Sequence, residues 1–404
     1  MKYVIIGNGV AGTTASANIR KLDSSGEITI LTDEAFPFYS RIRLIDFLAG
    51  GVDEKGLVIY RDDWYRKNNI KLLLSTSVSE VDSNRKQIQT SAGDRIEYDR
   101  LLLATGANSF VPPIPGSDRK GVFTLRTLKD ANEIMNYSAD IKKVLLIGGG
   151  VLGLEAGNSL RKTGYKVSVA EFFPRLLPRQ MDIEGAEILK TQMEKMGFTF
   201  YLGVRSREIT GDDRVKGLRL EDGTEIECDL IIISAGIRPN DKLGRKLGLK
   251  INKGLIVNDR METEIKDIYA AGDLTEHRGV FYGIWPASRE QGKIAGINMA
   301  GQYDPIPGGD AIYEGTTQSN VLKVVGIDLA SAGDIDADGK YESVIKKDKD
   351  RFIYKKLVIR GNTLSGCILY GDTSEYRKIL RAIDGKRDIA EIRKDLEKWD
   401  LSRL

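Results

Sequence analysis

The chain has 404 residues, 41% of them apolar and 29% charged, and its 61 basic against 58 acidic side chains leave a net charge of +3. That length suits two or three domains, and the balance excludes a disordered chain, a collagen-like repeat and a dedicated nucleic-acid binder. Two cysteines and a single histidine, His277, exclude a disulfide framework, a cluster held by this chain's cysteines alone and most histidine-based metal or triad schemes, so no metal site is expected.

In chain order, the first element is a short apolar run at residues 3–6, which reads as a strand buried on both faces. It is too short for a signal peptide, and no later stretch reaches the ~18 apolar residues of a membrane span, so a cytoplasmic protein is expected. Gly7-Asn8-Gly9-Val10-Ala11-Gly12 follows, then a helix over 11–20 and a strand at 28–31 ending in Thr32-Asp33-Glu34. This is a dinucleotide fingerprint in its strand–turn–helix–strand setting. Gly7 makes the turn, Gly9 lets backbone approach a pyrophosphate, Gly12 lets helix pack on strand, and the helix start offers free N–H groups. The ribose-reading acid is Asp33 or Glu34, because Thr32 holds the usual acidic position.

A second copy opens with a strand at 144–147, continues Gly148-Gly149-Gly150-Val151-Leu152-Gly153, and ends its next strand, 166–170, at Glu171, eighteen residues beyond Gly153. A carboxylate there accepts from the adenosine ribose and repels a 2′-phosphate, favouring NADH over NADPH, although Arg175 nearby keeps NADPH open. A single glycine-rich turn is weak evidence. Two copies with matched flanks imply two bound dinucleotides.

Three further segments carry a specific resemblance. Residues 101–107 (Leu-Leu-Leu-Ala-Thr-Gly-Ala), residues 231–240 (Ile-Ile-Ile-Ser-Ala-Gly-Ile-Arg-Pro-Asn) and residues 268–273 (Ile-Tyr-Ala-Ala-Gly-Asp) resemble the crossover strands and flavin-binding segment of the FAD-dependent pyridine nucleotide-disulfide oxidoreductase superfamily. The likeness covers about three quarters of the chain. It implies an α/β fold with two Rossmann-like domains: a discontinuous FAD domain at 1–108 and 240–308, an inserted NAD domain at 109–239, and a small α+β domain at 309–404. It assigns Gly7, Gly9, Val10, Ala11, Gly12, Asp33, Glu34, Arg41, Val78, Ala104, Thr105, Gly106, Gly272, Asp273 and Gln291 to FAD. It assigns Gly148, Gly150, Val151, Leu152, Gly153, Glu155, Glu171, Ala235, Gly236 and Ile237 to NADH. Trp285 shields the flavin ring or is simply a core tryptophan. Glu155 supports nicotinamide orientation or is an ordinary helix-start glutamate.

Disulfide-reducing and peroxidase relatives carry cysteine beside the flavin. Here the matching segment, residues 35–44, has none, and Cys228 and Cys367 read as buried hydrophobes. Tyr39-Ser40-Arg41-Ile42-Arg43-Leu44 resembles instead the rubredoxin-reductase branch and the flavin module of the nitrite-reductase branch. By that likeness Arg41 lies near the FAD, against the alternative of a solvated arginine beside a helix. The implied activity is hydride transfer from NADH to FAD, then electron delivery to a small rubredoxin- or ferredoxin-like carrier or a partner reductase. The rivals are an oxidase using oxygen directly and a flavin-based redox sensor.

After a linker expected at 305–310 come strands at 321–327, 352–359 and 364–369, a hairpin at Arg360-Gly361-Asn362, and helices at 374–383 and 389–399. Residues 363–373 resemble the nitrite-reductase module in particular. No cluster or sirohaem sequence follows within these residues, so the chain is not expected to reduce nitrite by itself. The seven basic and three acidic residues of 342–360 either steer an acidic carrier or protect an exposed strand, and the second account is favoured. No membrane or nucleic-acid partner is expected, and monomer and homodimer both stay open.

Overall fold

The computed structural model describes residues 1–137, 141–301 and 311–404, without the side chains of 322–324. The linker expected at 305–310 lies outside the described residues. The elements that matter run β1 (Lys2–Ile6), α1 (Val10–Leu22), β2 (Glu27–Leu31), β3 (Ile70–Leu73) and β4 (Arg100–Leu103). Then come β5 (Val122–Thr124), β6 (Lys143–Ile147), α2 (Val151–Lys162), β7 (Lys166–Glu171), α3 (Ile183–Lys195), β8 (Thr199–Leu202) and β9 (Leu230–Ile233). Next are β10 (Ile268–Ala270) and α4 (Trp285–Ala300). The last stretch holds β11 (Ser319–Val324), β12 (Ile327–Gly333), β13 (Glu342–Asp348), β14 (Ile353–Arg360), β15 (Thr363–Tyr370) and α5 (Tyr376–Asp384).

By internal contacts the chain divides into two units. The first comprises Met1–Arg43, Val52–Asn108 and Ile237–Thr316; the second comprises Leu44–Gly51, Ser109–Gly236 and Thr317–Leu404. In the first unit a five-stranded parallel sheet has the order β10-β4-β1-β2-β3. Its central strands are buried on both faces, as their continuous apolar runs require. Tyr3, Ile5, Ile30 and Leu102 are fully buried in its core. Helices α1 and α4 pack backbone to backbone: a Cβ on Gly292 would lie 2.4 Å from the Ala11 carbonyl oxygen, and one on Gly296 would lie 2.5 Å from that of Ala15.

The second unit repeats the plan with a parallel sheet ordered β8-β7-β6-β9-β5. It also holds an antiparallel sheet ordered β11-β12-β15-β14-β13, with its own core around Leu357, Cys367, Leu369, Ile379 and Leu396. The predicted hairpin is present: Arg360 pairs with Thr363 across Gly361-Asn362.

Three expectations for this region need correction. The run at 321–327 is two strands, because Val325 (φ +57°) and Gly326 (φ +87°) form a two-residue turn between paired Val324 and Ile327. The helix expected at 389–399 is a 3₁₀ turn, Ala390–Ile392, followed by the short helix Arg393–Glu397, and Trp399 ends it in the left-handed region. Apolar residues at helical spacing there serve a compact turn instead. The basic run at 342–360 is only partly a solvated face: Lys346 and Lys347 are exposed on the edge strand β13, but Lys355 and Lys356 are each 3% exposed. Lys355 pairs with Asp372 (2.6 Å) and Glu375 (2.7 Å), and Lys356 with Asp182 (3.0 Å). Buried charges persist only when paired in this way. Among the described residues no helix is long and apolar enough to cross a membrane.

Candidate functional site

The first unit presents the first fingerprint. Gly7 leaves β1 at φ +117°, and a Cβ there would stand 2.1 Å from the Ala104 carbonyl oxygen. Only glycine turns the chain so close to a neighbouring strand. Gly12 meets the Gly7 carbonyl at 2.0 Å by the same measure, which seats α1 against the turn. Gly9 caps α1 with extended backbone and no side-chain cap, and a Cβ on it would meet nothing within 4 Å. The helix start is therefore open, with free N–H groups and the positive end of the helix dipole toward that space. Val10 and Ala11 form its first turn.

The residues around this opening hold one another. The Tyr65 hydroxyl donates to Asn8 Oδ1 (3.0 Å) and accepts from the Phe38 amide (3.2 Å); Asn8 Nδ2 is buried with no hydrogen-bond partner among the described residues. Beyond β10, Gly272 turns at φ +87° and its N–H donates to Gln291 Oε1 (2.8 Å), which also accepts from the Thr275 hydroxyl (2.9 Å). Gln291, 1% exposed, thus shapes the Gly272-Asp273 turn. Ser288 Oγ donates to Asp273 Oδ1 at 3.0 Å. On the crossover, Thr105 Oγ1 donates to the Asn240 carbonyl (2.8 Å) and the Asn240 amide to that of Gly106 (2.9 Å).

Of the two candidate ribose-reading acids, Glu34 accepts from both the Tyr39 hydroxyl and the Arg41 guanidinium, while Asp33 is exposed. The Arg41 guanidinium carbon also lies 5.7 Å from the centre of the Tyr39 ring. Thr32 is 7% exposed and its hydroxyl accepts from the Glu34 amide (3.3 Å), so it supports the loop. Val78 opens the strand Val78–Asp82 and packs against the unit's core. Trp285, half-buried at the start of α4, lies 5.9 Å from the Phe38 ring.

The second unit presents the second fingerprint with the same geometry. Gly148 turns at φ +116°, its Cβ position 2.3 Å from the Ser234 carbonyl oxygen; Gly153 sits 2.6 Å from that of Gly148; the Gly150 cap of α2 faces open space. Val151 and Leu152 begin α2, and Ala235-Gly236 follow β9. Ile237 groups with the first unit. Glu171, 6% exposed at the end of β7, accepts from the Gly149 amide and from the Phe173 amide (2.8 Å). Arg175, left open by the sequence as a phosphate ligand, donates to the carbonyls of Pro178 (3.1 Å) and Met181 (3.2 Å). Glu155, in the second turn of α2, accepts from the Val325 amide at 2.6 Å. Burial pushes its carboxyl above the ordinary glutamate range, while the Val325 amide and the more distant Lys162 pull it back.

Sequence reading passed over a pair next to Glu171. Phe172 and Phe173 are 59% and 47% exposed, packed edge to face with centroids 5.5 Å apart, and the Arg205 guanidinium lies over Phe172. Adjacent aromatics after a fingerprint acid were the available signal, because core aromatics are not left this exposed.

Both thiols are in the second unit. Cys228 is 3% exposed and Cys367 fully buried, and burial pushes each up to about 12. Neither is a nucleophile at neutral pH. The two glycine turns, their open helix starts and the acids beyond them fit a pair of dinucleotides.

Comparison with known proteins agrees with this geometry. A profile of the pyridine nucleotide-disulphide oxidoreductase family matches residues 1–300, and one of the rubredoxin NAD+ reductase C-terminal domain matches 319–387. The chain is similar to the Bacillus subtilis nitrite reductase [NAD(P)H], with 43% identity over 97% of this chain and 48% of that protein. It is also similar to the Clostridium acetobutylicum NADH-rubredoxin oxidoreductase, with 30% identity over 97% of this chain and 96% of that one. The crystal structure of the clostridial enzyme superposes with a TM-score of 0.81 over 97% of both chains. An NAD-dependent persulfide reductase from A. fulgidus, 28% identical, superposes with a TM-score of 0.88 over 97% of this chain and 78% of its own. The chain spans about half the length of the first curated relatives it matches. With a fingerprint in each unit and a family profile running from residue 1 to residue 300, the chain belongs to the pyridine nucleotide-disulphide oxidoreductases, a family that uses FAD and NADH.

Proposed function

We propose that this protein is a cytoplasmic, FAD-containing, NADH-dependent oxidoreductase that hands electrons to a small redox protein or partner reductase without a cysteine relay. In this reading residues 1–108 and 240–308 carry the FAD, 109–239 the NADH, and 309–404 form a third domain. The observation that carries it is the paired geometry of the two glycine turns, each ending at an uncapped helix start with open space before it. When bound, FAD accepts a hydride from NADH and can return its electrons singly.

The chain's own residues bind, orient and exclude. The first turns of α1 and α2 hold the two pyrophosphates by N–H groups and helix dipoles. Gln291 fixes the Gly272 turn, from which Asp273 would hold the flavin's ribityl chain. Arg41, tethered to Glu34, would help hold the same cofactor. Glu171 holds the second glycine loop in shape and offers its remaining lone pairs to the adenosine ribose. Phe172 offers an exposed face for the adenine ring. Glu155 orients the nicotinamide. Hydride transfer then depends chiefly on how well these contacts align donor and acceptor.

Similarity to a Methanocaldococcus jannaschii NADH oxidase, 35% identical over 82% of this chain, favours oxygen as the second reading for the acceptor. Steady-state NADH oxidation in air, set against anaerobic turnover with added rubredoxin or ferredoxin, separates the two. Carrier-dependent anaerobic turnover exceeding the rate in air supports the proposal. A fast rate in air that carriers leave unchanged overturns it.

A further inference from the structure

The hairpin turn between β11 and β12 has an unusual composition for its shape. Two-residue turns with positive φ at both positions favour Asn-Gly or Gly-Gly, yet the first position here is Val325, at φ +57° and only 3% exposed. A β-branched residue in the left-handed region is a rare outlier, and such strain persists where the surroundings hold it in place. What holds this one includes α2: the Val325 amide donates to Glu155 Oε1 at 2.6 Å. An N–H at the outer end of a hairpin, which ordinarily goes to water, is spent on a half-buried carboxylate of the second fingerprint.

We infer that this turn is a positioning element for the nicotinamide half-reaction: the Val325 N–H fixes the Glu155 carboxylate, and the C-terminal sheet thereby acts on hydride transfer. The inference rests on the functional reading above, in which Glu155 serves the nicotinamide. The carboxylate stands in an unfavourable setting without the turn. Burial opposes its charge, and Asp46 adds repulsion, while Lys162 and the Val325 amide favour the ionised form. A charge-assisted hydrogen bond from a main-chain donor, which has no rotamers to search, defines both its charge and its direction. An antiparallel sheet with no fingerprint of its own acquires a role by lending one amide.

Two measurements on the FAD-loaded protein test it. The first is hydrogen exchange at the Val325 amide. It should be protected in the native protein, keep that protection in Glu155→Gln, which retains an acceptor, and lose it in Glu155→Ala while neighbouring strand amides are unchanged. Equal exchange in all three overturns the contact, and this readout needs no variant in the turn.

The second is anaerobic stopped-flow bleaching of the flavin by NADH. Val325→Pro removes the donor and cannot adopt the turn's φ; insertion of one glycine between Val325 and Gly326 shifts the donor if the proline variant does not fold. Either should slow bleaching at saturating NADH by about tenfold, as expected for one hydrogen bond to a charged group, with the NADH dissociation constant within about twofold. Combined with Glu155→Ala, neither should slow it further, because both changes remove one interaction. Losses that multiply, or a normal rate in a folded turn variant, overturn the inference. Native protein whose flavin NADH does not bleach would overturn the functional reading itself, a distinguishable result.

Discussion

The two fingerprint folds are close copies in backbone and unlike in the setting of their acids. In the first unit Glu34 is gripped by side chains, Tyr39 and Arg41, on a partly open loop. In the second, Glu171 is nearly buried and gripped by main chain, the amides of Gly149 and Phe173. A side-chain grip can be exchanged for a ligand's groups at small cost. A main-chain grip makes the acid part of the loop's own architecture. The difference suits a cofactor retained through turnover in one unit and a substrate that enters and leaves a preformed loop in the other.

Replacing the first glycine of each turn should break the comparison outright. Gly7→Val and Gly148→Val each force a side chain into a carbonyl oxygen 2.1–2.3 Å from the first added atom, at a positive φ, an overpacking and strain cost of several kcal/mol. Gly7→Val should yield colourless protein. Gly148→Val should remain yellow yet fail to bleach with NADH, as read by absorbance. Both variants retaining flavin would put the FAD assignment in error.

The acids themselves come next. Glu171→Ala should weaken NADH binding ~10–100-fold, the loss of a charged acceptor worth about 1.5–3 kcal/mol. Glu34→Ala should raise the FAD dissociation constant by only a few-fold, since its charged partner Arg41 is 37% exposed. Titration of each cofactor measures both, and equal effects would erase the contrast drawn here.

A smaller effect sharpens it further. Phe172→Ala should raise the NADH dissociation constant ~2–10-fold, the usual worth of an aromatic contact, and leave binding of reduced nicotinamide mononucleotide, which lacks adenine, unchanged. Equal losses for both nucleotides would remove Phe172 from the adenine site.

The smallest concerns acid stability, where each unit has a strongly depressed carboxyl. Arg278, then His277, hold Asp259 at about 2, and Lys355 holds Asp372 well below the ordinary range. A depressed carboxyl contributes stability above its unfolded value of about 4 and loses it as pH falls through the folded one. Asp259→Asn and Asp372→Asn should each flatten the fall of melting temperature below pH ~4, Asp372→Asn more so because its partner Lys355 is buried. Unchanged slopes would show that these pairs do not set acid stability.

What the sequence showed of all this follows from locality. A glycine turn announces itself within six residues, so both fingerprints, their strands and the Gly272 segment were legible, and the family with them. The settings of Glu34, Glu171 and Glu155 were not. Each is decided by a partner that sequence spacing does not name: a tyrosine hydroxyl, a loop amide, and an amide 170 residues away. The Val325-Gly326 turn was missed because valine argues for strand, and only Gly326 hinted otherwise. Lys355 and Lys356 looked solvated because composition cannot show that Asp182, Asp372 and Glu375 lie within reach.

The two thiols have a practical consequence. Cys228 lies in the core that serves the nucleotide-binding sheet and Cys367 in that of the antiparallel sheet, and neither reacts while its surroundings stay closed. An alkylating reagent therefore times the opening of each sheet separately, by which cysteine is modified first. The protein carries two internal clocks for its own unfolding, one per sheet, with no label to be engineered.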